Sequence, residues 1–257
     1  MRNGRPEDIG AGFGGIVLAA GRGSRMGADI PKVTLKVGGM PMVSRVVGTL
    51  REAGVAPVCV VVPAGSSPVR ELLGDSVLYA VQERPTGTGD AAAAARPLLT
   101  GSSRVVVACG DSPLFSVDTV RRLMDAHCIA DAPVTLVTAH LDDPSGYGRI
   151  VRDSAGTIVS VVEESVANAR EKAISEVNGG LYAFNASWLW DNIQRPAADE
   201  REFVLTEVVA RAVAQGRTVS SAHCEPGELA GVNTPAQLEE ASRILMERSR
   251  SPRPERK

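Results

Sequence analysis

Strand-sized apolar runs alternate with helix-length segments through the first half of this chain, and that alternation limits the folds open to it. Gly15–Ala20, Val58–Val62, Val77–Val81, Arg104–Cys109 and Pro133–Ala139 are short, rich in β-branched residues and almost continuously apolar. Such runs predict strands buried on both faces. Between them lie Pro41–Ala53, with proline at its first turn and Gly54 just past its end, the alanine-rich Gly89–Leu99, and Ser116–Ala126, opened by a capping serine. Strand and helix in alternation imply right-handed crossovers and a mostly parallel sheet with helices on both faces.

The second half reads differently. Arg149–Arg152, Thr157–Glu163 and Val177–Phe184 are closely spaced strand signals, with a turn at Asp153–Gly156, so a smaller antiparallel section is expected there. Helices are expected at Phe203–Gln215 and Pro235–Arg248, with a strand at Thr218–His223 between them. No repeat with a period of 20 to 50 residues, and no hexapeptide repeat, is present.

The 257 residues, 44% hydrophobic and 23% charged, suit one globular α/β unit without disulfide or metal staples. The five cations and one anion of residues 248–257 account for +4 of a net charge of −2, so the rest of the chain carries −6. A nucleic-acid binder shows its basic footprint on the folded domain, so nucleic acid is not expected as a partner. Residues 1–12 and the basic tail 248–257 are expected to be disordered, flanking one domain over residues 13–247. Cys59, Cys109, Cys128 and Cys224 show neither paired nor zinc-site spacing, which predicts reduced, cytoplasmic thiols. The apolar runs are too short to span a membrane, and the polar N-terminus lacks a secretory apolar region.

Four local features carry chemistry. The first strand runs into Gly21-Arg22-Gly23-Ser24-Arg25-Met26-Gly27 and on to Pro31-Lys32. Such a turn can present backbone N–H groups to phosphate, with Arg22, Arg25 and Lys32 adding positive charge. Neither common phosphate loop fits: Met26 occupies the third glycine position of the dinucleotide fingerprint, and no Walker pattern occurs. Asp111, in Cys109-Gly110-Asp111-Ser112-Pro113, follows a predicted parallel strand, where a carboxylate can hold Mg²⁺ against a polyphosphate or simply cap a turn. Gln82 ends another strand ahead of Gly87-Thr88-Gly89, joining an amide able to pair with a base edge to further backbone donors. Glu163 and Asn178 terminate or interrupt apolar strands, from which polar side chains can reach ligand hydroxyls, serve an Asx turn or face solvent.

In order, these segments resemble the uridyltransferase (pyrophosphorylase) domain of the bacterial GlmU family, whose members also carry a glucosamine-1-phosphate acetyltransferase. The motifs are Leu18-Ala19-Ala20-Gly21-x-Gly23-x-Arg25-Met26, Pro31-Lys32-Val33, Gly87-Thr88-Gly89, Gly110-Asp111-x-Pro113-Leu114, Asp143-Pro144-Ser145-Gly146-Tyr147-Gly148-Arg149-Ile150, Glu176-Val177-Asn178 and Gly231-Val232-Asn233. The resemblance runs from about Ile16 to Leu245. It implies a Rossmann-like, GT-A-like nucleotidyltransferase fold whose antiparallel section receives the sugar, and a Mg²⁺-dependent enzyme joining UTP to N-acetylglucosamine 1-phosphate.

Residue by residue, the resemblance implies that Leu18, Ala19, Ala20, Gly21, Gly23, Gln82, Gly87 and Thr88 enclose the nucleotide, with Gln82 on the uracil edge. Arg25 and Lys32 are the catalytic cations on the triphosphate. Asp111 and Asn233 bind Mg²⁺, and Gly148, Glu163 and Asn178 receive the amino sugar. The chain departs from the family at Cys109, where tyrosine is common, Asp90 for histidine, Val166 for an Asp-Ala pair, and Glu207 for aspartate. These departures leave open another hexose or cyclitol 1-phosphate, used with UTP, dTTP or GTP. A regulatory nucleotide-binding module is the non-enzymatic alternative. The acetyltransferase β-helix has no counterpart in this sequence, so acetyl transfer is not expected of it. In-line transfer between two ionised phosphates needs neither a covalent nucleophile nor a general base, so His127, His140 and His223 read as structural.

Overall fold

The computed structural model describes residues 12–21, 30–65, 68–84, 86–194 and 201–250. Strand β1 (Phe13–Leu18) is followed by the two-residue strands β2 (Lys36–Val37) and β3 (Met40–Pro41), then α1 (Met42–Glu52) and β4 (Val58–Pro63). Next come α2 (Pro68–Leu73), β5 (Leu78–Gln82), α3 (Thr88–Ala94), β6 (Arg104–Cys109), α4 (Val117–Ala130) and β7 (Val134–His140). The chain continues through β8 (Arg149–Arg152), β9 (Ile158–Val162), α5 (Ala169–Lys172), β10 (Glu176–Asn185) and α6 (Ala186–Asn192). It ends with α7 (Leu205–Ala214), β11 (Val219–His223) and α8 (Pro235–Arg250).

Among the described residues the main sheet has nine strands, seven of them in the order β11-β7-β10-β6-β1-β4-β5. β1 pairs in parallel with β4 and β6, β4 with β5, and β7 with β11. Alternate side chains of each strand enter opposite layers. Val17, Val60 and Val62 pack with Val43, Val47 and Leu50 of α1 and Leu123 of α4. Ile16, Cys59 and Val61 pack with Ala92 of α3, Leu189 of α6 and Val208 of α7. Both faces are therefore covered over β1, β4 and β6, as the near-continuous apolar runs predicted. The edge strand β5, with no strand on its outer side among the described residues, leaves Leu78 and Val81 exposed.

The antiparallel section is part of this sheet. β10 lies antiparallel between β6 and β7, and its early residue Val177 pairs with Arg149 of β8. At ten residues, β10 stays paired with β7 through both halves, its second half facing β6 on the other side and its first half facing β8.

Three expectations need correction. The alanine-rich helix ends at Ala94 and yields to a 3-10 turn over Arg96–Leu98, because Pro97 lacks an N–H and its ring crowds the preceding turn. The short helices α2, α5 and α6 fall where the sequence reading placed none. Residues 248–250 continue α8 instead of starting a disordered tail: Arg248 donates from Nη1 to the Leu114 carbonyl at 2.6 Å. Residues 1–11 and 251–257 lie outside the described residues. All four cysteines are free, and no described helix is long and apolar enough to cross a membrane.

His127 is buried on α4, with Nδ1 3.0 Å from the Thr135 hydroxyl. Burial lowers its pKa from 6.5 to about 4, the nearby Arg104 charge adding to the effect and Asp131 opposing it. The folded state thus refuses a proton that the unfolded chain accepts. Stability is expected to be full above pH 6.5 and to fall as the pH drops from there towards 4. The slope for this one group is at most about 1.4 kcal/mol per pH unit. Urea midpoints between pH 4.5 and 7.5 should show a steeper acid fall for the native chain than for His127→Gln; parallel curves would remove this residue from the acid response.

Candidate active site

The carboxyl ends of β1, β5 and β6 open onto one cleft of about 490 Å³. Leu18, Ala20 and Gly21 supply one wall, Gln82, Gly87 and Thr88 a second, and Cys109 and Asp111 a third. Ligands of open parallel sheets gather at this edge, because each strand there ends in a turn whose backbone donors face outward. Ala19 is buried at the end of β1 and lies outside the lining. Gly23 and Arg25 lie outside the described residues.

Gln82 is buried, and its Nε2 donates to the Gly87 carbonyl at 3.0 Å. One Nε2 hydrogen and the Oε1 acceptor remain for a ligand edge. Gly87 sits at φ +113°, and a Cβ there would lie 2.3 Å from the Phe203 carbonyl oxygen and 2.7 Å from its nitrogen. The Phe203 N–H donates to Thr86 O at 2.8 Å, and Gly89 N–H to Phe203 O at 2.8 Å. The Thr88 hydroxyl accepts from Leu205 N–H at 3.0 Å. These glycines therefore admit the chain before α7 at close range, and the Gly89 N–H is committed to protein. The expectation of freely exposed donors at this turn is corrected to that extent.

The same chain brings Glu202 and Val204 to the cleft lining. Sequence reading missed both. They lie immediately before α7, more than a hundred positions from Gln82, and no local motif marks them.

Asp111, Lys32 and Asn233 meet at a point. Lys32 Nζ lies 2.5 Å from Asp111 Oδ2 and 2.6 Å from Asn233 Oδ1. Backbone geometry enforces the meeting, since Val232 N–H donates to the Asp111 carbonyl at 3.0 Å. Leu114 and Val232 pack with Val37, Met42 and Ala241, clamping α8 and the strands β2 and β3 around the junction. Beside it, burial and the Asp111 charge push the Cys109 thiol up to about 12, against a smaller opposing effect of Lys32, so it stays protonated.

Among the described residues no three His, Cys, Asp or Glu side chains cluster as metal ligands. The ammonium of Lys32 shows that Asp111 and Asn233 oxygens can converge on one cation. One carboxylate and one amide oxygen form a hard, incomplete set. That set fits Mg²⁺, which is commonly held by one or two carboxylates with phosphate oxygens and water completing its shell.

Gly148, Glu163 and Asn178 also come together. A Cβ on Gly148 would lie 3.6 Å from Glu163 Oε2 and 3.6 Å from Asn178 Cβ, and Asn178 N–H donates to Gly148 O at 2.8 Å. Glu163 Oε1 accepts from the Thr206 hydroxyl at 2.8 Å. The preceding turn is braced by Arg149, 1% exposed, whose guanidinium donates to Glu164 Oε2 at 2.7 Å and to the Tyr147 carbonyl. Tyr147 in turn donates to the Leu229 carbonyl at 3.0 Å, tying this side to the segment that delivers Asn233.

A family model described as the MobA-like NTP transferase domain matches residues 15–184. The chain is 38% identical over 236 residues to the bifunctional protein GlmU of Geotalea daltonii, covering 90% of this chain and 52% of that protein. It is 39% identical to GlmU of Pelotomaculum thermopropionicum, with 91% and 52% covered, and 40% identical to that of Heliobacterium modesticaldum, again with 91% and 52%. The chain thus spans about half the length of these relatives. The fold matches a structure described as a glucose-1-phosphate thymidylyltransferase of Bacillus anthracis, with a TM-score of 0.77 at 20% identity over 90% of this chain and 94% of that one.

Proposed function

The chain belongs to the MobA-like NTP transferase domain family, and on that premise we propose that it makes UDP-N-acetylglucosamine and pyrophosphate from UTP and N-acetylglucosamine 1-phosphate. The observation that carries the reading is the meeting of Asp111, Asn233 and Lys32 beside the cleft formed by Gly21, Gln82 and Gly87. About 40% identity to GlmU proteins supports the choice of substrates.

Uracil presents an N–H flanked by carbonyl oxygens. The Oε1 acceptor and remaining N–H of Gln82 complement that edge. Thymine shares it and guanine carries half of it, whereas cytosine and adenine carry an amine there instead. This favours UTP, with dTTP and GTP as the nucleotides to compare and other hexose or cyclitol 1-phosphates as the alternative acceptors.

A sugar phosphate oxygen attacks the α-phosphorus in line, forming the new P–O bond as the bond to the β-phosphate oxygen breaks. Holding both anions in register removes most of the entropic barrier. Asp111 and Asn233 would hold Mg²⁺, which supplies positive charge against the charge that accumulates in the transition state. Lys32 and Arg25 neutralise the triphosphate and the departing pyrophosphate. The sugar phosphate is ionised near neutral pH, so no base is required of the protein. Four free thiols support a reducing, cytoplasmic setting.

Pyrophosphate release from UTP, dTTP, GTP, ATP and CTP, each crossed with a set of sugar 1-phosphates, tests the proposal. UTP with N-acetylglucosamine 1-phosphate should give the highest kcat/KM. Nucleotide binding without product from any pair would establish a regulatory module instead. Glu163→Ala is expected to raise the KM for the sugar phosphate about tenfold or more, on the scale of a lost charge-assisted hydrogen bond, while leaving UTP binding nearly unchanged. Equal loss of both would remove Glu163 from the sugar side.

A further inference from the structure

Residues four apart in an extended strand are separated by about 13 Å, too far for their side chains to bond. On β10, Asn178 and Tyr182 nevertheless meet: Asn178 Nδ2 donates to the Tyr182 hydroxyl at 2.6 Å. The register of β10 against β7 shifts between these two residues, and Gly180 turns the backbone through φ +75°. The same bulge brings Gly180 N–H to Asn178 Oδ1 at 3.1 Å. The Asn178 amide is thus held at both ends, and flipping it would set its NH₂ against the Gly180 N–H.

Tyr182 is 4% exposed and its ring stacks on Phe184 at 5.8 Å. Burial raises its pKa, chiefly through desolvation, so the phenol keeps its proton. Since Asn178 is the donor in their contact, that proton is not used there. The Cys109 and Glu163 charges add smaller effects in the same direction.

We propose that Tyr182 is a positioning residue for sugar phosphate recognition, fixing the Asn178 amide so that one Nδ2 hydrogen and one Oδ1 lone pair face the ligand. An adjacent donor and acceptor suit a hexose carrying neighbouring hydroxyl and acylamino groups. The assignment rests on the reading of Asn178 as a sugar contact.

A double-mutant cycle tests it, with Tyr182→Phe, Asn178→Ala and the double variant assayed with UTP and N-acetylglucosamine 1-phosphate. Tyr182→Phe should raise the KM for the sugar phosphate about tenfold, the scale of one hydrogen bond, with the KM for UTP unchanged. In the Asn178→Ala background the same change should have little further effect. Additive losses, an equal rise in the KM for UTP, or an unaltered KM for the sugar phosphate would overturn the role of Tyr182 while leaving the proposed reaction intact. A native chain that turns over no substrate pair would overturn the reaction and this role with it. UTP binding by calorimetry shows that each variant is folded.

Discussion

Asp111→Asn is expected to lower kcat by about 10²-fold or more, equivalent to about 3 kcal/mol of lost transition-state stabilisation. The substitution keeps the shape of the side chain and removes its charge. In the native site that charge faces the Lys32 ammonium at 2.5 Å, with the Asn233 oxygen 2.6 Å from the same atom. Without it, two neutral oxygens remain to hold a divalent cation, and Lys32 loses its anchoring partner. The backbone contact between Val232 and Asp111 uses main-chain atoms and survives, so the fold should be unaffected. Pyrophosphate release across a Mg²⁺ titration, beside circular dichroism and a thermal melt, separates these effects. Turnover within a few-fold of the native chain would refute the cation-binding role of Asp111.

Gly87→Ala should damage stability and nucleotide binding together. Its φ of +113° disfavours any L side chain, and the added carbon would meet the Phe203 backbone at 2.3 Å. The obstruction is main chain, so no rotamer change relieves it. The start of α3 and the segment before α7 must separate, breaking the bonds from Phe203 N–H to Thr86 O and from Gly89 N–H to Phe203 O. Backbone strain and broken contacts of this kind cost about 2–4 kcal/mol, or a thermal midpoint lower by about 5–10 °C for a chain of this size. Gln82 loses the fixed position of its Gly87 acceptor, so UTP affinity should fall at least tenfold. Calorimetric titration of UTP at a temperature where the variant is folded checks the second effect. Native affinity would mean that this turn does not shape the nucleotide site.

The parallel half of the sheet was legible because its inner strands β1, β4 and β6 are buried on both faces, and runs such as Val58–Val62 have no other reading in a chain with this alternation. The place of β10 was not legible. Periodicity identifies a strand but not its neighbours, and β10 pairs with β6, which ends 67 positions before β10 begins. Within the site, Asp111 stood out because it follows a buried strand, and Gln82 because it ends an apolar run just ahead of a glycine turn. Asn233 could be linked to Asp111 only through the family resemblance, since their contact depends on a backbone bond between distant segments. Glu202 and Tyr182 carried no signal: one lies just before a helix, and the other looked like an ordinary core aromatic. Their positions follow from the closeness of Phe203 to Gly87 and from the bulge at Gly180, both products of tertiary packing.

The insertion of β10 between β6 and β7 orders the steps by which the sheet can assemble. Residues 13–109 contain β1, β4, β5 and β6, whose pairing with one another uses no strand from later in the sequence, although α4, α6 and α7 later cover their faces. β7 has no neighbour in that unit and must wait for a strand made some 40 residues later, and for β11 after that. During synthesis at roughly 5–20 residues per second, the outer edge of β6 stays open for several seconds after it emerges. An N-terminal fragment stopping near residue 130 should therefore collapse into an α/β half-sheet with one unprotected apolar edge, prone to self-association until Glu176–Asn185 is supplied, as a peptide or by the ribosome.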